Sequence, residues 1–505
     1  MDIFSGLLSG FLVVFQPINF LYCLIGVLVG TLIGVLPGIG PTGTMAILLP
    51  TTFGVSPVAG VIMLAGIYYG AMYGGSTTSI LVNIPGEAAS VITCLDGYQM
   101  ARRGRAGPAL GISAMGSFIG GTFGVVALML FVYTLSEAAL KFGPPEFFAL
   151  MCLGLTTVVY LRRGSLAKSL IAALLGLIIG SVGTDTISGQ LRFTLGIPEL
   201  WDGIDIIPLI MGLFGVSEVL TNIEKPLKTQ REIFETKIKN LLPNLEDWKK
   251  SIGPKIRGSL MGFFLGIIPG GGAITASFVS YAVEKKISKH PEEFGKGAIE
   301  GVAGPETANN AATAGAFVPL LALGIPSSSV MAVLMAALII HGVTPGPLLI
   351  SKNPDIFWGT IASMYLGNGM LLLLNLPLIG LWIQVLKVPY SILFPLILLF
   401  TIIGCYSVDY KVFDLLLLIF FGVVGYILGK LEYEPAPLII GFILGPMLER
   451  SFRQSLIMSN GHLFIFFTRP IAGIALGLAI ALYASIAFGV FRKARVKVTE
   501  IQDEQ

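Results

Sequence analysis

Gly34-Val-Leu-Pro-Gly-Ile-Gly40 and Gly266-Ile-Ile-Pro-Gly-Gly-Gly272 interrupt two otherwise apolar segments of this chain. Proline removes a backbone donor and glycine frees the backbone, so at each stretch one helix should end and another begin. One hydrophobic segment later each half breaks again, at Asn83-Ile-Pro-Gly86 and at Gly324-Ile-Pro-Ser327. Interrupted apolar segments at matching places in two halves of a membrane protein point to a transporter's binding site.

The surrounding composition supports a membrane setting. Of 505 residues, 54% are hydrophobic and 12% charged, and mean hydropathy is +0.85. Soluble domains carry about 25% charged residues. Apolar runs near the length that crosses a bilayer recur at 18–36, 108–135, 165–183, 355–386, 389–408, 411–430 and 465–492. Because a chain in lipid must satisfy its own backbone, these runs should be helices. They are continuously apolar rather than alternating, which argues against a barrel. The expected fold is therefore an all-α polytopic membrane protein. Met-Asp-Ile-Phe lacks the basic start of a signal peptide, so residues 1–16 should stay as a short interfacial or membrane helix. The four cysteines, Cys23, Cys94, Cys152 and Cys405, lie singly in apolar sequence and read as buried apolar residues.

Charge sets the orientation. The long polar connection 223–257 is rich in lysine and arginine, and further basic clusters stand at Arg102, Arg103 and Arg105, at Arg162, Arg163 and Lys168, and at Arg492–Lys497. The positive-inside rule puts all of them, and hence the C-terminus, in the cytoplasm. The landmarks of the halves follow one order: Pro37 with Pro269, Pro85 with Pro326, Pro144 loosely with Pro389, and Pro208-Leu-Ile-Met-Gly212 with Pro437-Leu-Ile-Ile-Gly441. The counterparts of the basic first-half loops, 343–354 and 409–411, hold only Lys352 and Lys411, whereas Lys387 and Lys430 fall where the second half should return inside. The pattern predicts two inverted-topology repeats with discontinuous helices or re-entrant hairpins. The boundaries are a first membrane repeat at 1–222, a cytoplasmic linker at 223–257, a second repeat at 258–462, and a C-terminal transmembrane helix and tail at 463–505.

The breaks carry the chemistry. Gly38, Gly40, Thr42 and Gly43, with Gly270, Gly271 and Gly272 opposite, would expose backbone N–H groups at new helix starts, where anions bind. Ser327, Ser328 and Ser329 add N-cap hydroxyls, and Asn83 holds the equivalent first-half position. Together these form the candidate substrate site. Glycines also serve simple helix packing, and Glu87, four residues after Asn83, suits an ordinary turn at the membrane surface. Gly304-Pro-Glu-Thr-Ala-Asn-Asn-Ala-Ala-Thr313 is the most polar stretch inside apolar sequence. Its oxygens on Glu306, Thr307, Asn309, Asn310 and Thr313 are candidates for coupling-ion binding, either Na⁺ or H⁺.

Other classes find little support. No phosphate loop with its lysine occurs, so ATP hydrolysis by this chain is not expected. None of His290, His341 and His462 pairs at metal-ligand spacing. His341 reads as a helix-terminal residue. No nucleophile–base constellation stands out, so the chain is not read as an enzyme. No cofactor, no metal other than Na⁺ and no nucleic-acid partner is expected. Arginine is absent from the broken segments, which leaves amides, hydroxyls and helix dipoles to attract an anion.

At Gly34-Val-Leu-Pro-Gly-Ile-Gly-Pro41, Tyr69-Gly-Ala-Met-Tyr-Gly-Gly-Ser-Thr-Thr-Ser-Ile-Leu-Val-Asn-Ile-Pro-Gly-Glu87, Gly304-Pro-Glu-Thr-Ala-Asn-Asn-Ala311 and Gly324-Ile-Pro-Ser-Ser-Ser329 the chain resembles the TctA family, the large membrane subunit of tripartite tricarboxylate transporters. The resemblance covers nearly the whole chain. It implies an ion-driven importer of di- or tricarboxylates in the bacterial inner membrane, and two partners: a small TctB-like membrane subunit and a TctC-like periplasmic solute-binding protein. Citrate, tartrate, malate and aromatic acids all fit the family. Monomer and homodimer both remain open. The alternatives are a passive anion channel or a related TRAP-type dicarboxylate permease.

Overall fold

The computed structural model describes residues 3–36, 40–160, 165–185, 187–224, 241–386 and 390–485. Pro37, Gly38 and Ile39 of the first break, Arg162 and Arg163, residues 225–240 of the 223–257 linker, Lys387, and the basic C-terminal cluster lie outside the described residues. The chain runs α1 (Ile3–Val14), α2 (Pro17–Val35), α3 (Gly40–Leu48), α4 (Pro57–Val82), α5 (Thr93–Arg102), α6 (Ala106–Ala139), α7 (Pro144–Tyr160), α8 (Leu166–Gly180), α9 (Ile206–Ile210) and α10 (Ser217–Glu224). It continues with α11 (Leu245–Ile267), α12 (Gly272–Ile287), α13 (Glu300–Gly315), α14 (Phe317–Leu323), α15 (Ser329–Ile340), α16 (Leu349–Lys352), α17 (Pro354–Asn375), α18 (Ile379–Val385), α19 (Tyr390–Asp409), α20 (Val412–Lys430), α21 (Pro435–Met458) and α22 (Ile465–Thr468). A two-residue hairpin, β1 (Gly183–Thr184) and β2 (Leu191–Arg192), is the one sheet among the described residues.

The all-α expectation holds. Six described helices are long and apolar enough to cross a membrane: α2, α4, α6, Ile206–Ile223, α17 and α20. Helix α4 was not among the clearest apolar runs, because its glycines and hydroxyls dilute its hydropathy. It is almost wholly buried, so its surroundings are protein rather than lipid. The run 355–386 is divided between α17 and α18, and 165–183 forms a shorter helix of 15 residues.

Local signals account for the helix boundaries. Ser56 caps α4 by accepting from the Ala59 amide, with Pro57 in the first turn. Asn244 and Asp247 form a reciprocal capping box on α11. The second breaks close alike: Asn83 ends α4 at φ 56° and Gly324 ends α14 at φ 70°. Both are left-handed positions that glycine and asparagine tolerate best.

Contacts divide the chain into two compact units, 1–140 with 204–435, and 141–203 with 436–505. Each draws on both halves of the sequence. In the first unit two pairs of helices meet along glycine. Gly26, Gly30 and Gly34 recur every fourth residue and so share one face of α2. A Cβ on each would lie 2.4–2.5 Å from the carbonyl oxygens of Met63, Ile67 and Ala71 on α4. Gly258, Gly262 and Gly266 do the same on α11, against the carbonyls of Gly304, Ala308 and Ala312 on α13. Backbones this close gain dispersion contact that larger residues would forbid. Each stripe stops three residues before a break proline, so the tightest packing leads directly into each break.

The second unit packs α8 on α21, where Gly176 and Gly180 approach the backbone of Leu438 and Phe442. Its hairpin is pinned by charge. Arg453 and Arg192 both reach Asp185 at 2.9 Å, and Arg192 also reaches Glu449 at 2.9 Å. Hydrogen bonds from the Ser188 hydroxyl and from Arg453 hold the Asp185 carboxyl well below the usual carboxylate range. A lowered folded-state value stabilises at pH above the ordinary carboxylate range, and the contribution fades as pH falls toward the folded value. Protection of the 183–192 amides from hydrogen exchange, taken against the intrinsic rate at each pH, should therefore fall on acidification below the ordinary carboxylate range, and Arg453→Ala should show the lower protection already at neutral pH.

Candidate functional site

The breaks of the two halves meet in the first unit. Gly40 opens α3 at φ +66°, and Thr42 on its first turn lies 3.2 Å, hydroxyl to hydroxyl, from Ser329 at the start of α15. The second break joins the same neighbourhood, since the Gly270 amide donates to the Ser327 carbonyl at 2.9 Å. Gly270 and Gly272 take φ +80° and +53°, a path glycine follows without strain. Gly271 precedes α12, and Gly43 is buried within α3. Ser327 donates to the Ala316 carbonyl at 3.2 Å. Ser328 caps α15 by accepting from the Met331 amide at 3.3 Å. Thr42, Gly270, Ser327 and Ser329 are thus gathered around two helix starts. Asn83 stands exposed at the end of α4, apart from this group.

The polar stretch 304–313 forms part of one continuous buried helix, α13. Glu306, Asn309, Asn310 and Thr313 fall on a single face by their i, i+3, i+4, i+7 spacing. Glu306 accepts from the hydroxyls of Ser76 on α4 and Thr93 on α5. The Asn309 amide nitrogen donates to Glu87 at 3.3 Å, and that of Asn310 to the Glu306 carbonyl at 3.1 Å. Asn310 and Thr313 line a small cavity of about 10 Å³ with Tyr69, Met364 and Asn368. Thr307 turns to α6 instead, where its backbone is met by Gly120, and its hydroxyl returns to the Ala303 carbonyl at 2.7 Å. Four of the five sequence candidates therefore share a face.

Several participants escaped the sequence reading. Glu87 suits a surface turn in sequence, yet it is 7% exposed, caps the short turn Ala88–Val91 and packs against Gly75. Tyr73 donates to Asn368, whose amide nitrogen donates to the Phe118 carbonyl and the Thr122 hydroxyl. Asp96 accepts from the amides of Gly295, Gly297 and Ala298 at 2.7–2.8 Å and from the Tyr281 hydroxyl at 2.8 Å. It fastens α5 to the segment leading into α13. The signal that could have found Ser76 and Glu87 was their place in the Tyr69–Glu87 motif. His341 ends α15 and meets the Thr52 hydroxyl at 3.0 Å. No cluster of metal-ligating side chains occurs among the described residues.

A polytopic helical protein with broken segments and a buried polar helix at their junction belongs with the membrane transport proteins. The description "Tripartite tricarboxylate transporter TctA family" matches residues 20–440, and the chain belongs to that family. It is accordingly a component of a tripartite tricarboxylate transporter, a multi-pass membrane protein. Its relatives include an "Uncharacterized 52.8 kDa protein in TAR-I ttuC' 3'region" of Agrobacterium vitis, 50% identical over 503 residues and all of both chains. A second, an "Uncharacterized protein in TAR-II ttuC' 3'region" of the same organism, is 54% identical over 219 residues, 43% of this chain and 90% of that one. No solved structure matches the chain.

Proposed function

We infer that this chain is the large permease subunit of an ion-coupled secondary active importer of di- or tricarboxylates. A periplasmic solute-binding protein delivers the substrate, and a small membrane subunit completes the complex in the bacterial inner membrane. The observation that carries the reading is the convergence of the breaks. Thr42 with Ser329, and Gly270 with Ser327, bring helix starts, hydroxyls and glycine backbone from both halves together. Such a site attracts a carboxylate through amides and dipoles without a fixed cation. The neighbouring Glu306–Thr313 face supplies oxygens for Na⁺ or H⁺.

The two halves, 1–222 and 258–462 joined through 223–257, act as inverted-topology repeats in this reading. Supporting it are the identical distance from glycine stripe to break proline and the left-handed residue that opens each second break. In this reading the basic loops and the C-terminus face the cytoplasm by the positive-inside rule.

The test is uptake by proteoliposomes holding both membrane subunits. Accumulation should need an ion gradient and the binding protein together. Asn310→Ala and Ser327→Ala should each lower uptake at least tenfold, Ser327→Ala by weakening substrate binding and Asn310→Ala by weakening ion dependence. Passive flux without either driving component would mark a channel, and full transport by both variants would remove the site assignment.

A further inference from the structure

Two carboxylates are buried together in the first unit with no basic partner. Glu87 and Glu306 are 7% and 1% exposed, and among the described residues neither has a lysine, arginine or histidine within ion-pair distance. They reach α4 at consecutive residues. Glu87 lies where a Cβ on Gly75 would sit, 2.7 Å from its Cγ, and Glu306 takes the hydroxyl of Ser76. The Asn309 side chain links them, one turn along α13 from Glu306 and bonded to Glu87.

Isolated charges inside protein or lipid cost far more than the few hydroxyls and amides here return. Two basic groups of α11, the helix packed along α13, face other side chains. Arg257 of α11 is held by Glu284 of α12 at 2.6 Å, and Lys255 of α11 sits 3.9 Å over the Trp248 ring. Asp96 of α5 is satisfied by Tyr281 and three amides. Tyr69 and Tyr73 of α4 are tied to α17. Cys94 of α5 and Tyr68 of α4 also lie near the pair, and neither brings a positive charge. A second, independent observation points the same way. The Asn309 side-chain oxygen is buried and accepts no hydrogen bond, although its own amide nitrogen touches Glu87. A lone-pair oxygen left without a donor beside two carboxylates asks for a positive charge.

We propose that Glu87 and Glu306, with the Asn309 side-chain oxygen, share one exchangeable monovalent cation, Na⁺ or H⁺. This rests on the ion-coupled reading above and moves its ion site from α13 alone to the contact between α13 and the turn after α4. Each carboxylate arrives from a different half of the chain. Loading or emptying the shared charge therefore changes the attraction between the segment behind the first pair of breaks and the helix ahead of the last one.

The experiment uses the full chain, purified with its small membrane subunit, and follows thermal unfolding. One arm replaces choline with Na⁺ at constant pH, and the other acidifies without Na⁺. The wild-type midpoint should rise by several degrees in one arm, the sodium arm marking Na⁺ and the acid arm alone marking H⁺. Glu87→Gln and Glu306→Gln should both lose that shift. No shift in wild type with either cation, or an undiminished shift in both variants, overturns the proposal. If the variants fail to fold, carbodiimide labelling of the wild type decides. Label on Glu87 or Glu306 that Na⁺ or alkaline pH suppresses supports the site, and absent or cation-insensitive label overturns it. Gradient-driven accumulation in wild type that persists in both variants would sink this proposal while leaving the importer standing. A wild type that never accumulates substrate would sink the importer instead.

Discussion

Gly262→Leu should leave no folded protein to purify. A Cβ at this position lies 2.3 Å from the Ala308 carbonyl oxygen and 2.7 Å from the Ala308 Cα. Both obstacles are backbone, so no side-chain rotation relieves them. Accommodating even a methyl group means pushing α11 away from α13, and a leucine pushes it further. Helix separation would break the packing at Gly258 and Gly266 as well, where carbonyls stand 2.5 and 2.3 Å away. Overpacking a single tight site costs about 1–3 kcal/mol when neighbours can yield. Here a rigid backbone row cannot yield, so the loss should exceed that range and consume most of the stability of a marginally stable fold. Gel filtration after extraction should show aggregate or nothing. Gly429→Ala is the control, because nothing lies within 4 Å of its Cβ; it should elute and melt like wild type or slightly higher.

Asp96→Ala should give the second largest effect. The substitution strips one acceptor from three amides and a tyrosine hydroxyl at once. Each buried donor left unsatisfied costs about 1–3 kcal/mol. Gly295 and Gly297 are open enough for water to take over part of the role, which brings the total to about 3–5 kcal/mol. The loss is also local in its consequences. The segment 295–298 would detach from α5, and α13 would lose the anchor at its start. Trypsin should then cut after Lys296, which is exposed within this segment, faster than in wild type. Tyr281→Phe removes only one of the four donors and should cost about 1 kcal/mol, without the change in cleavage. Equal cleavage of Asp96→Ala and wild type would show that other contacts hold the segment.

Both results turn on contacts between segments far apart in the chain, and they mark where sequence reading stops. Membrane class was legible because hydropathy is a local sum, and long apolar runs with few charges admit almost no other solution. The breaks were legible because proline and glycine act on their own backbone. The polar residues Glu306, Thr307, Asn309, Asn310 and Thr313 are legible as one stretch, but only packing turns Thr307 toward α6 and leaves the other four on one face. Helix α4 was visible as a motif but not as a span, since its polar residues point into protein.

What lay beyond the sequence was which distant groups touch. Glu87 looks like a surface residue beside Asn83 because nothing nearby in the chain explains its burial. Its partner Asn309 is 222 residues away. Thr42 and Ser329 are separated by 287 residues, and no local pattern records their contact. The division into units likewise crosses the sequence halves, because helix packing follows complementary surfaces rather than chain order. The amino-acid sequence alone determines a helical membrane protein broken twice in each half, since those properties arise residue by residue from hydropathy and backbone freedom, and its motifs carry the likeness to the TctA family. The pairing of two carboxylates around Asn309, and the meeting of the breaks, exist only once the glycine faces have drawn α2 to α4 and α11 to α13.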